Sequence, residues 1–283
     1  MPRAVHDQYA KGWFKFLLAN FGKVEIEREV SGPVRRIDLV FYPDPKHLES
    51  LQSLKLVGRM LSKPALIEFF RNPVPTDEIA KCRDKLLDLR SELKQFAKKN
   101  GQILYNRDLP FLWILSPTLS QTLKHRRRAE PKPEWGEGIY FLPEDDCTAI
   151  VMIHELPVTI DTIWLRLLGR GSVQAEAVKQ LLALPKDYRH RLETLDHLAM
   201  LRVNLQIRHN RSRDLEEIMI NLSPAYEEWR NQTLAEGQRI GVKDGISKVA
   251  LRMLRKQMPL AEIAEMTDLT IAQLQALQSD QSF

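Results

Sequence analysis

The stretch PALIEFFRN, Pro64 to Asn72, sets Ala65, Leu66, Ile67, Phe69 and Phe70 around a single carboxylate, Glu68. A run this short and this apolar, stopped by RNPVP, reads as an interior strand. A charged side chain in an interior is costly unless it is paired or binds a metal. The earlier run RRIDLVFYP raises the same question at Asp38. Any fold for this chain must therefore build two acid-bearing strands and give both acids partners.

The neighbouring patterns supply the rest of a sheet. Tyr9, Trp13, Phe16, Leu17 and Phe21 recur at helical spacing, and Gly22 closes that helix. In KVEIEREV, Val24, Ile26, Arg28 and Val30 alternate with Lys23, Glu25, Glu27 and Glu29, which is a strand. SGP turns the chain into the Asp38 strand, and a proline-bounded helical excursion leads to the Glu68 strand. Ile79, Cys82, Leu86, Leu89, Leu93 and Phe96 then form one apolar stripe on a long helix from Thr76 to Lys99. Thr76 or Asp77 can cap it, and Gly101 lies just past its end. LPFLWILS, EGIYFLP and CTAIVMIHEL read as further strands. The expectation is an α/β domain over residues 1–156, with a mixed sheet flanked by helices. A helical region, 157–245, follows, then a tail of three short helices, 246–283.

Composition narrows the class. The net charge of +5 permits a nucleic-acid partner without requiring one. The densest basic run is KHRRR, where Lys124, Arg126, Arg127 and Arg128 are candidate phosphate contacts, or else a solvated loop between strands. The two cysteines, Cys82 and Cys147, are too few for a disulfide framework and fit a reducing, cytoplasmic setting. No apolar run nears the roughly 18–20 residues of a membrane span, and the N-terminus lacks a signal-peptide core, so no membrane partner is expected. No glycine-rich phosphate loop calls for a nucleotide cofactor. Ser116 lacks the glycines of a nucleophile elbow, and His190, His197 and His209 read as packing or surface residues.

Alternate residues of a strand share a face. Asp38 then sides with Arg36 and Val40, and Glu68 with Leu66 and Phe70. If the two strands are neighbours, both carboxylates meet at one end of the sheet. They repel each other there unless a divalent cation joins them; Mg²⁺, or Mn²⁺ in its place, takes one or two carboxylates plus water and phosphate oxygens. The alternative is that Arg36 or Arg71 pairs with each acid, or that the acids sit at solvated strand ends.

The order helix, strand, strand with Asp, strand with Glu, long helix resembles the PD-(D/E)XK nuclease superfamily. Within it, HDQYAKGWFKFLL, RRIDLVFYP with ALIEFFRNP, and the tail ALRMLRKQMPLAEIAEMTDLTIAQLQAL resemble the Rpn family of recombination-promoting nucleases, also described as transposase-like. That resemblance implies a restriction-endonuclease-like sheet and Mg²⁺-dependent DNA cleavage, with Asp38 and Glu68 as the metal-binding acids. The third motif position, where a Lys or Gln is expected, holds Phe70. Phenylalanine can neither donate a proton nor neutralise a phosphorane. Lys81 and Lys85 on the following helix are the candidates for a displaced basic group, with Arg36 and Arg71 as weaker ones; Glu25, Glu27 and Glu29, and Asp7 or Gln8, could add a ligand. A catalytically inactive DNA-binding or protein-interaction module on the same fold is the rival reading.

The tail resembles a helix-turn-helix, with Asp268 in the turn and Gln273, Gln275 and Gln278 on the second helix. From Pro259 onward it has no Lys or Arg, while Glu262, Glu265, Asp268 and Asp280 make it acidic. An acidic segment beside a polyanion favours packing or self-association over DNA reading. Leu260, Ile263, Met266, Leu269, Ile271, Leu274 and Leu277 would provide the apolar face, making a homo-oligomer through the C-terminal helices an expectation.

Overall fold

The computed structural model describes residues 2–30, 35–207 and 213–279. The Asp7 side chain, His209 and Asp280 lie outside the described residues. The chain forms α1 (Pro2–Leu18), β1 (Gly22–Val30), β2 (Arg35–Pro43), α2 (Leu48–Leu51), α3 (Leu56–Met60), β3 (Ala65–Phe69) and α4 (Thr76–Lys99). Then come β4 (Phe111–Ser116), α5 (Gln121–Arg127), β5 (Glu130–Pro131), β6 (Ile139–Phe141) and β7 (Thr148–Met152). The remainder is helical: α6 (Ile163–Arg166), α7 (Ser172–Ala183), α8 (Arg191–Ile207), α9 (Arg213–Arg255), α10 (Leu260–Thr267) and α11 (Ile271–Ser279). Two compact units result, Met1–Tyr226 and Glu227–Phe283.

The seven strands make one mixed sheet in the order β1-β2-β3-β4-β7-β6-β5. β1, β2 and β3 pair antiparallel, β3, β4 and β7 pair parallel, and β6 and β5 close the far edge antiparallel. The parallel strands are the near-continuous apolar runs, as strands covered on both faces must be. α4 lays Ile79, Cys82, Leu86 and Leu89 on Val40, Leu66, Leu112, Ile114 and Ile150. Each such side chain, fully buried, contributes roughly 1.5–3 kcal/mol before entropy is counted. α1 covers the opposite face, where the Phe14 ring meets Phe69 edge-on at 5.2 Å.

Several local expectations change. The buried face of α1 runs through Ala10, Trp13, Phe14, Leu17 and Leu18, while Phe16 is half-buried against His197 at 4.1 Å. Gly22 opens β1 rather than merely ending α1, and a Cβ there would clash with the Tyr42 carbonyl. The α4 stripe fades past Leu89: Leu93 is half-buried and Phe96 is exposed, so it is not one continuous seam. No side chain caps α4, and its N-cap is Pro75. KHRRR belongs to helix α5 and its C-cap, not to a loop between strands.

The break expected between the helical region and the tail, at 245–246, is absent, and α9 runs through Gly237, Gly241 and Gly245. Each glycine costs about 1 kcal/mol against alanine in a helix, a weak penalty that favourable neighbours outweigh. In the second unit α10 and α11 pack on the end of α9 through Ala250, Ile263 and Leu274, with Met253, Leu254, Leu260, Leu269 and Leu277 around them. Asp268 takes the left-handed turn conformation, φ 55°. Gln273 is spent on the α11 cap: its side chain accepts from the Thr270 amide at 2.9 Å, and its amide donates to the Thr270 hydroxyl. Most of the apolar face named for self-association is thus used inside this unit; Met266 and Ile271 stay exposed. Among the described residues no helix is long and apolar enough to cross a membrane.

Candidate acid and lysine site between the second and third strands

β2 and β3 are neighbours, and their ladder pairs Phe41 with Ala65, Val40 with Leu66 and Leu39 with Ile67. One step further the register sets Asp38 opposite Glu68, and there the backbone pairing stops. Each carboxylate takes the place of a ladder partner. The Phe69 amide donates to Asp38 Oδ2 at 3.0 Å, and the Asp38 amide lies 3.4 Å from Glu68 Oε1. The strands part because the two acids sit between them. The partners expected in the alternative reading, Arg36 and Arg71, are not the ones that meet the acids: Arg36 is exposed and pairs with Glu29, and Arg71 is buried past the end of β3.

Two lysines meet the acids, one from each covering layer. Lys85 of α4 places its ammonium 2.7 Å from Glu68 Oε2. Lys11 of α1 places its own 2.8 Å from Asp38 Oδ1 and 3.4 Å from Glu27 Oε1. Of the two lysines named on α4, the structure brings only Lys85 to the site. Lys81 is exposed and bonds Glu78 at 2.7 Å, a pairing along its own helix surface. Lys11 was not foreseen. Its signal is its place three residues before Phe14 and seven before Leu18, on the buried face of α1.

Strict alternation fails at this point. Ile37 and Val40, three residues apart, both join the core beneath α4. Across the strand Glu27 has φ 52° and drops out of the β1–β2 ladder, between the pairs Ile26–Leu39 and Arg28–Ile37. Asp38 therefore stands at a twist in the sheet, which lets a lysine from the α1 layer reach it.

The electrostatics separate Glu68 from ordinary carboxylates. Its pKa is pushed up to about 7, first by burial and then by the Asp38 charge, against the opposing pull of Lys85. Burial alone would lower the Lys85 pKa, but Glu68 outweighs it and the net shift is upward. Cys82, buried next to this cluster, has its thiol pKa raised by burial and then by Glu68. Phe70 packs into the core beneath α4, so the third motif position holds an apolar anchor.

The donor set suits a hard cation. Two carboxylates held by backbone amides present oxygen ligands at a partly buried strand end, and Mg²⁺ asks for only one or two of these. Among the described residues no group of three or more His, Cys, Asp and Glu gathers, so water and substrate oxygens would have to complete the shell. Glu25 is taken by Lys23 and Arg28, and Glu29 by Arg36.

The basic run divides three ways. Lys124 is buried, 3.2 Å from both Glu155 carboxylate oxygens and 4.1 Å from the Tyr140 ring centroid, so its charge is spent inside the protein. Arg127 donates to the Thr76 carbonyl at 2.9 Å, tying α5 to the start of α4. Arg126 and Arg128 are exposed. α5 follows the C-terminal end of β4, which runs parallel to β3, so these arginines lie toward the Glu68 end of the sheet. Ser116 is buried, accepts from the Val74 amide and donates to the Thr118 carbonyl, a structural role. His190 and His197 pack against aromatic rings.

No family model matches the chain, and neither the curated proteins nor the solved structures contain a significant match to it.

Proposed function

We propose that the chain is a Mg²⁺-dependent DNA endonuclease of restriction-endonuclease-like, PD-(D/E)XK type, related to the recombination-promoting, transposase-like nucleases. The observation that carries this reading is the convergence of Asp38, Glu68 and Lys85 where β2 and β3 part. Asp38 and Glu68 would hold Mg²⁺ or Mn²⁺; such a metal lowers the pKa of bound water and stabilises charge on a phosphodiester. Lys85 supplies the cationic donor that Phe70 cannot, from the helix instead of the strand. Its tie to Glu68 keeps its ammonium beside the acids. Arg126 and Arg128 add exposed charge for DNA phosphates, which need only charge and reach.

The test is nicking of supercoiled plasmid with Mg²⁺, with and without chelator, by the wild type and Asp38→Asn. The expected result is chelator-sensitive nicking that Asp38→Asn reduces by at least about a hundredfold. Nicking that survives Asp38→Asn or the chelator would refute the reading. A second reading is favoured by one observation: Lys11 and Lys85 already pair with the two acids, so each carboxylate has a cation beside it without a metal. On that reading the fold is a non-catalytic DNA-binding or protein-interaction module. A folded wild type that cuts under neither Mg²⁺ nor Mn²⁺ decides for it.

A further inference from the structure

Lys11 spans two acids of different kinds. Asp38 Oδ1 at 2.8 Å belongs to a carboxylate that is 18% exposed, and Glu27 Oε1 at 3.4 Å to one that is 49% exposed. The lysine itself is buried, 8% exposed along its side chain. Glu27 stands in register with Asp38 yet outside the ladder, in a left-handed conformation rare for a strand glutamate. Such a conformation persists only where its surroundings fix it. Its carboxylate is the more solvent-exposed of the two that meet the ammonium, and that of Asp38 the less. A lysine is a point charge on a flexible four-carbon stem, so a small swing of its end exchanges one acid for the other.

We infer that Lys11 is a tethered competitor for the divalent cation at Asp38, held on Asp38 when the site is free of metal and handed to Glu27 when metal enters. The inference rests on reading Asp38 and Glu68 as a cation site. Lys11 is then a positioning residue: it holds the Asp38 carboxylate in place, and it sets the cation affinity by the charge that must be displaced. Glu27 is the acceptor that makes displacement inexpensive, since Lys11 never loses an acid partner. A monovalent cation brings no more charge than the ammonium already there, so the arrangement favours a dication.

The experiment is calorimetric titration of the full chain with Mg²⁺, without DNA, for the wild type, Lys11→Gln and Glu27→Gln, each first checked by thermal melting. Removing an opposite charge in contact with a carboxylate is worth about tenfold or more in its affinity for another cation. Lys11→Gln should therefore bind Mg²⁺ at least about tenfold more tightly, and Glu27→Gln several-fold more weakly. A purely structural ion pair would not move the two in opposite directions. If wild type and Lys11→Gln bind equally, the cation site stands and the competitor role falls. If Lys11→Gln does not fold, an unchanged affinity in Glu27→Gln overturns the role. If no folded variant binds Mg²⁺ at millimolar concentration, the cation site falls and takes this role with it.

Discussion

Two lysines of this chain meet a glutamate below the surface, and their surroundings differ in what they leave over. Lys124 and Glu155 close on each other, with Tyr140 donating its hydroxyl to the same carboxylate at 2.9 Å. One cation, one anion and one phenol leave nothing unspent, and Glu155 keeps 37% of its side chain in water. Lys85 and Glu68 are closer, and the Glu68 side chain is only 4% exposed. A second carboxylate, Asp38, stands beside them, and burial first and the Asp38 charge second push the Glu68 pKa up to about 7. A buried pair is a brace, whereas a buried pair with a surplus acid is a place where a proton or a cation can enter and leave.

The largest expected effect separates the two pairs by activity. Lys85→Met should lower Mg²⁺-dependent nicking by roughly 10²–10⁴-fold, the usual worth of a positioned acid or electrostatic donor. It should also raise the Glu68 pKa further, since the opposing Lys85 charge is gone. Glu155→Gln should leave nicking at the wild-type rate. Equal losses in both variants would dissolve the distinction and point to general destabilisation.

Next in size is a pH effect confined to the acid site. The native Glu68 holds its proton up to about pH 7, while in the unfolded chain it ionises near the usual 4.5. Between those values the native state binds more protons, so this group's contribution to stability is complete below about pH 4.5 and is lost as pH rises through 7. At about 1.4 kcal/mol per pH unit the loss is roughly 3 kcal/mol. Denaturant melts of Glu68→Gln should be flatter across this window than those of the wild type. A wild type whose stability rises from pH 5 to 7 by this group would contradict the assignment. Mg²⁺, which favours the ionised acid, should bind more tightly as pH rises through the same range.

How much of this was readable in the sequence depends on whether the residue type carried the signal. Asp38 and Glu68 stood out because a carboxylate in an apolar run is conspicuous, and Lys85 because it flanks a visible stripe. Lys11 was hidden by reading the first helix through Phe16 instead of Phe14, which rotates the buried face away from it. The twist at Asp38 had no sequence mark, since a left-handed glutamate looks like any other, whereas a glycine or asparagine would have announced it. KHRRR misled because charge density along a chain says nothing about helix faces: one residue points in, one ties down α4 and three face water. The main strands and the long helices, by contrast, followed from periodicity, because burial on one or both faces leaves a pattern in the residue types.

A smaller effect concerns Phe70, the residue that departs from the nuclease motif. Because Phe70 packs with the α4 core and Lys85 already supplies the cation, Phe70→Lys should add no nicking activity. Its cost should appear in melting instead, at about 1–3 kcal/mol for a polar group placed in an apolar contact. A gain in cleavage would mean that Lys85 is a brace like Lys124 and that the strand position is where the chemistry wants its base.

The smallest effect belongs to the outward half of the basic run, and it tests whether burial sorts the lysines and arginines correctly. Arg126 and Arg128 face water at the sheet end where Glu68 lies, so each is free to meet one phosphate. Replacing both by Gln should weaken DNA binding by a modest factor and reduce the slope of log affinity against log salt by roughly 1.8, at about 0.9 per phosphate contact. Neither change should touch the nicking rate at saturating DNA, because neither arginine reaches the acids. Lys124→Gln should leave the salt slope alone, since its ammonium is spent on Glu155 and Tyr140, and should register only as lost stability. Fluorescence anisotropy with a labelled duplex across a salt series measures all three variants. A slope that falls with Lys124→Gln and not with the arginine pair would reverse the sorting and place the DNA on the other side of α5.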